Sequence, residues 1–150
     1  MKKILVTTDQ SDLGWQATEH ARALAEALGA ELVALSVQAD PSPAVTGEFG
    51  YVAPANPEDF ILQQDQALAL LRQKVPGARS RVERAAGRPV SRTIIDVAKE
   101  EGVSMIVMTT HGRAGLGRAL LGSVAEAVLH HAHVPVVLIR GEQPVTNWRE

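Results

Sequence analysis

The sequence predicts an α/β domain, a single doubly wound parallel sheet of five strands with helices on both faces. Three observations carry that expectation. Apolar, β-branched runs alternate along the chain with helical patterns, the order that puts a helix in each crossover between parallel strands. The run from Val103 to Thr109 is nearly all apolar, as a strand covered on both faces must be. Finally, 150 residues are one domain's length, with nothing left over for a second.

The elements follow in order. Lys3 to Thr8 reads as the first strand. From Asp12 to Leu28, the residues Ala17, Ala21, Leu24, Ala25 and Leu28 share one helical face, with Asp12 as the simplest N-cap and Gly29 at the C-cap. Glu31 to Gln38 is the second strand, and Ser80 to Ala86 a third, more polar one. Between them, the stretch from Asp40 to Pro57 holds Pro41, Pro43, Gly47, Gly50, Pro54 and Pro57, and is predicted to be an irregular loop. Connections of that length are more often functional or mobile than incidental. A helix follows from Glu58 to Val75, stopped by Pro76-Gly77, and another runs from Pro89 to Glu101 before Gly102. Val103 to Thr109 is the fourth strand, Ser123 to His131 the last helix, and Val136 to Arg140 the fifth strand, leaving a short tail over 141–150.

Composition narrows the function. Apolar residues make up 45%, charged residues 21%, and the mean hydropathy is -0.01, an ordinary globular balance. Such a chain buries roughly 70% of its unfolded surface, a core that needs no staples. The absence of cysteine removes disulfides, thiolate metal sites, iron–sulfur clusters and thiol nucleophiles. With 15 basic against 17 acidic residues the net charge is -2, which lacks the electrostatic footprint of a nucleic-acid binder. The longest apolar runs, Val134 to Ile139 and Met105 to Met108, fall far short of the ~20 residues of a membrane helix. The apolar stretch after Lys2-Lys3 ends at Thr7-Thr8-Asp9, too early for a signal peptide. A cytoplasmic protein with neither membrane nor nucleic-acid partner is the expectation.

Doubly wound sheets bind ligands beyond the carboxyl ends of their strands, where the winding reverses. Two loops there are rich in small and polar groups: Thr7-Thr8-Asp9-Gln10-Ser11 after strand one, and Thr109 to Gly117 after strand four. The second carries Gly112, Gly115, Gly117 and then Gly122-Ser123 at a helix start. Glycines let backbone N–H groups approach an anion, and a helix N-terminus adds partial positive charge. Ser123 offers a hydroxyl, and Arg113 and Arg118 offer counter-charge, so a phosphate is the natural occupant. The same glycines would also serve a tight turn with no ligand at all. A Walker loop is excluded because Ser123-Val124 stand where Lys-[Ser/Thr] is required. A dinucleotide site is unsupported because no Gly-x-Gly-x-x-Gly follows strand one. His111 either touches a phosphate or orients the loop. His130, His131 and His133 read as imidazoles at a helix end rather than as metal ligands.

Thr109-Thr110-His111-Gly112, nine further residues, then Gly122-Ser123 resembles the Gly-x-x-Gly-x9-Gly-[Ser/Thr] ATP motif of universal stress proteins. Lys3 to Ser11 is similar to that family's opening strand and Asp-x-Ser turn, and Val124 to Ile139 to its final helix and strand. The resemblance spans about residues 2 to 140, with the loop near 40–57 and the tail unmatched. It implies an adenine-nucleotide alpha-hydrolase-like sheet of order 3-2-1-4-5 and an ATP site, with Mg2+ left open. Asp9 and the backbone near Thr7 and Thr8 would meet adenine and ribose, and Val37 would contact the base through its backbone. Met108 and Thr109 would line the floor, while Gly112, Arg113, Gly115, Gly122, Ser123 and Val124 would hold the triphosphate beside His111. Thr109 departs from the family by standing in place of the motif's first glycine, either crowding the nucleotide or offering only its backbone. Gly122→Val is expected to block a phosphate while leaving the fold intact.

Nothing in the sequence supplies an activated nucleophile or arginine finger, so binding outranks catalysis, with slow ATP hydrolysis as the most that is expected. The apolar last strand, Pro135 to Arg140, falls on a sheet edge that needs cover. The resemblance implies that a second copy covers it in a homodimer; the tail, through Trp148, is the other candidate. A regulatory or protective role with an unidentified protein partner is implied. The rival reading is an interaction module that works without nucleotide.

Overall fold

The structure is a computed structural model that describes residues 2–40, 44–46, 51–53, 56–111, 121–141 and 143–149, with backbone alone for 44–46 and 51–53. The elements are β1 (Lys3–Thr7), α1 (Asp12–Leu28), β2 (Glu31–Gln38), β3 (Ala44–Thr46), β4 (Tyr51–Ala53) and α2 (Pro57–Lys74). They continue with β5 (Arg79–Arg84), α3 (Val90–Glu101), β6 (Met105–Thr109), α4 (Ser123–His131) and β7 (Val136–Ile139). Five strands form one parallel sheet in the order β5-β2-β1-β6-β7, which is the predicted 3-2-1-4-5.

Side-chain alternation along the central strands builds two cores. Ile4 and Val6 of β1 face Ala17, Ala21 and Leu24 of α1 and Leu71 of α2. Leu5, between them, faces Ile94, Val97 and Ala98 of α3 and Ala125 and Val128 of α4. A strand buried on both sides has no polar face, which is why β1 and β6 read as continuous apolar runs.

Four local expectations are revised. The N-cap of α1 is Ser11, not Asp12: Ser11 keeps extended backbone and its Oγ accepts from the Gly14 N–H at 3.1 Å. Asp12 is instead the first helical residue, where its carboxylate still favours the helix dipole. The second helix, α2, starts at Pro57 rather than Glu58, with Asn56 as its N-cap. The third sheet strand is shifted to Arg79–Arg84, ending where Ala86 and Gly87 turn through positive φ of 51° and 84°. Within the stretch read as one irregular loop, β3 and β4 pair antiparallel, Val45 opposite Val52. Three-residue strands between prolines are too short to leave a periodic signal.

The polar β5 is one edge of the sheet and β7 the other. Arg79 and Arg81 of β5 pair with Glu101 on α3, so charge guards that edge. The tail after β7 runs to α1: the Gln143 carbonyl lies 3.1 Å from His20 Nε2, and Trp148 is half exposed.

Candidate functional site

β1 winds to β2 on one side and neighbours β6 on the other, so the reversal falls between β1 and β6. Their ends are held in line by ladder bonds that continue past them, Thr8 N–H to the Leu35 carbonyl at 3.0 Å and Thr110 N–H to the Ile139 carbonyl at 2.9 Å. Above them opens a cavity of about 810 Å3, within the usual range for a small-molecule site.

Ten residues singled out from the sequence line this one cavity: Thr7, Thr8, Asp9, Val37, Met108, Thr109, His111, Gly122, Ser123 and Val124. Gly112, Arg113 and Gly115 lie outside the described residues. The β1–α1 loop is locked internally. Asp9 Oδ1 accepts from the Ser11 N–H at 3.0 Å and from the Ser11 hydroxyl, and Thr8 Oγ1 accepts from the Gln10 N–H at 3.0 Å.

Across the cavity, Thr109 is nearly buried and its hydroxyl donates to the His111 carbonyl at 2.8 Å. The side chain thus fixes the loop in a way no glycine can. The neighbouring Thr110 Oγ1 lies 3.0 Å from His111 Nδ1, which supports the loop-orienting role of this histidine. His111 Nε2 is buried and has no partner among the described residues.

The cavity ends at the start of α4. Gly122 is its N-cap, in extended backbone and with no side-chain cap bond. The N–H groups of Ser123, Val124 and Ala125 therefore belong to the unsatisfied first turn of the helix, beside the cavity that these residues line. Gly122 also meets a constraint that the sequence did not disclose. Its N–H donates to the Thr110 carbonyl at 2.6 Å, and a Cβ would stand 3.0 Å from that same oxygen. Gly122→Val would thus press on the turn itself as well as on a phosphate.

The remaining wall was missed. Gln10, Ser36 and Gln38 line the cavity with Gln63, Gln66, Ala67 and Leu70 of α2. Gln10 and Gln38 adjoin predicted positions and could have been found as neighbours. The α2 residues follow the long connection, and nothing in their spacing says which strand end they cover.

The resolved titration shifts lie elsewhere. Burial lowers the Arg81 pKa, but the hydrogen bonds it donates to Glu100, Glu83 and Glu101 outweigh burial and hold the guanidinium above its ordinary value. Burial raises that of Glu101, yet Arg81 and Arg79 outweigh it and hold the carboxyl below the usual carboxylate range.

The fold is a doubly wound α/β sheet with a cavity at its winding reversal. The family model described as "Universal stress protein family" matches residues 1–140, and the chain belongs to that family. A universal stress protein of Methanocaldococcus jannaschii is 36% identical over 145 residues, covering 93% of this chain and 82% of the relative. The chain spans less than half, 45%, of a Mycobacterium tuberculosis universal stress protein that is 33% identical. Among solved structures, the M. jannaschii protein MJ0577 superimposes with a TM-score of 0.75 at 25% identity, over 95% of this chain and 98% of that one. Two more distant structures share the fold: a universal stress protein in complex with cAMP and one from Archaeoglobus fulgidus in complex with dAMP. The first has a TM-score of 0.65 at 19% identity over 93% and 96% of the two chains. The second has 0.58 at 23% identity over 92% and 97%.

Proposed function

We propose that this protein binds ATP in the cavity between β1, β2 and β6 and acts as a regulatory or protective stress protein. The observation that carries the reading is the open first turn of α4, uncapped by any side chain and facing a cavity with Asp9 and Val37 at its other strand ends. A phosphate chain meets the N–H groups of Ser123 to Ala125, joined by the loop of Gly112, Arg113 and Gly115. The base and ribose then extend across the ends of β1 and β2, towards Thr7, Thr8, Asp9 and Val37, over a floor of Met108 and Thr109. That distance is two interstrand steps, roughly 10 Å. The cAMP and dAMP complexes of the two distant structures support an adenine nucleotide in this fold.

Binding, not turnover, is the proposed activity. Among the described lining residues Asp9 is the carboxylate, and its Oδ1 already accepts two hydrogen bonds from Ser11. Any Mg2+ arrives with the phosphates, which is this ion's habit, rather than in a cage of protein ligands. A second copy pairs along β7 to give a homodimer in the cytoplasm, covering the edge that the tail leaves towards α1.

The experiment is to denature freshly purified protein and identify any released nucleotide by chromatography and mass spectrometry, alongside an ATP-dependent thermal shift. Stoichiometric ATP is expected. An empty protein whose melting ignores ATP would favour the nucleotide-independent interaction module.

A further inference from the structure

α2 walls the cavity but is seated unevenly. At its C-terminal end Leu71 and Val75 belong to the core, and Lys74 Nζ lies 6.0 Å from the Trp15 ring centroid. Its N-terminal half is different: Ile61 and Leu62 stand 59% and 57% exposed. Polar and cationic ties hold this half. Gln38 Nε2 donates to the Phe60 carbonyl at 3.2 Å, and the Arg84 guanidinium lies 4.3 Å from the Phe60 ring centroid. Gln38 Oε1 is left buried without a partner among the described residues, so this closure is incompletely satisfied.

One more tie starts inside the β1–α1 loop. Gln10 holds φ at 65°, a region that favours glycine, asparagine and aspartate. Glutamine has no local reason to be there. Its length gives one: Nε2 reaches the Ala67 carbonyl, in the middle of α2, at 3.0 Å. The same residue's N–H donates to Thr8 Oγ1, and Asp9 precedes it directly.

We propose that the N-terminal half of α2 is a moving wall, and that Gln10 is the positioning residue coupling it to occupancy of the cavity; this rests on the nucleotide reading above. A nucleotide seated against Thr8 and Asp9 bears on Gln10 through the bond from the Gln10 N–H to Thr8 Oγ1. Gln10, bonded to Ala67 one turn before the seated Leu71, then holds the half-helix that precedes it against the cavity. Occupancy thereby changes how Ile61 and Leu62 are presented at the surface.

The test is hydrogen exchange by mass spectrometry on the full chain, with and without ATP, for wild type, Gln10→Gly and Gln10→Asn. Both replacements accept the left-handed backbone, so folding is not at stake, and neither reaches Ala67. In wild type, saturating ATP is expected to slow exchange over 60–70 at least fivefold. In both variants, each at its own saturating ATP, protection over 8–14 stays and that over 60–70 falls to within twofold of the nucleotide-free rate. Wild-type protection of 60–70 in the variants overturns the coupling, as does a wild type in which ATP protects only 8–14; either leaves the nucleotide site standing. Loss of ATP binding in both variants makes Gln10 a ligand contact and overturns its positioning role. No ATP-dependent protection or thermal shift anywhere in wild type overturns the nucleotide reading and the coupling together.

Discussion

Gly14 stands so close to Asp9 that a Cβ built on it would lie 2.5 Å from Asp9 Oδ1 and 2.6 Å from Thr8 Oγ1. The first turn of α1 is thereby seated directly on the loop that lines the cavity. Glycine inside a helix is ordinarily a weakness of about 1 kcal/mol relative to alanine, so propensity alone would make Gly14→Ala stabilising. Here the opposite is expected. The added methyl must push out the locked Thr8–Asp9 turn, and overpacking of this kind costs about 1–3 kcal/mol. Urea denaturation should show a lower midpoint, and ATP titration at least a tenfold weaker affinity. A stabilised variant with normal affinity would mean that the turn gives way freely.

Ser123 allows the phosphate reading to be tested with opposing signs. It is exposed, at the first position of an uncapped helix. Ser123→Asp places a carboxylate where the dipole favours it, worth about 0.3–1 kcal/mol. The nucleotide-free protein should therefore melt slightly higher. The same charge repels a phosphate, so ATP affinity should fall at least tenfold, with the loss shrinking as salt is raised. A higher melting temperature with undiminished ATP binding would move the phosphates away from α4.

Thr109 can crowd the cavity or hold its rim, and two variants separate these roles. Thr109→Val keeps the volume and removes the hydroxyl that bonds the His111 carbonyl, a loss of about 1 kcal/mol in stability. Thr109→Gly removes both. With the rim-holding role, both variants bind ATP more weakly by calorimetry, the valine by as much as the glycine. Tighter binding by the glycine variant would show crowding instead.

The cavity's strand-end half was legible because the chemistry sits where topology must put it. Alternating strands and helices fix a winding reversal beside β1, and Thr7 to Asp9 and Thr109 to His111 are the residues at and just past the ends of the strands meeting there. Gly122's contact with Thr110 and Gly14's with Asp9 were not legible. A glycine chosen for close approach looks, in sequence, like one chosen for a turn. The α2 wall was hidden for a different reason. Gln63 and Gln66 reach the cavity because Leu71 and Val75 seat the far end of their helix, a tertiary fact with no local signature. β3 and β4 escaped because three residues cannot show a period.

Glu101 carries the pH prediction. Its carboxyl is nearly buried, with Arg81 Nη1 at 3.0 Å and Arg79 also bonded to it. Burial pushes its pKa up, but these two guanidinium groups outweigh burial and hold it below the usual range. A carboxylate whose folded pKa is depressed binds fewer protons folded than unfolded between the two values. Its contribution is thus fully present above the unfolded pKa of about 4.3 and is lost as pH falls through the folded value. Arg81, held above its ordinary value, stays charged throughout and adds no slope of its own in this window. Glu101→Gln is therefore expected to cost roughly 1–3 kcal/mol at neutral pH, the scale of hydrogen bonds to a charged group. Urea midpoints of variant and wild type should converge as pH is lowered from 5 towards 3, on the scale of about pH 4.3 for a free glutamate. If the gap at low pH equalled that at neutral pH, the role of Glu101 would be packing, and the charge pair with β5 would be incidental to stability.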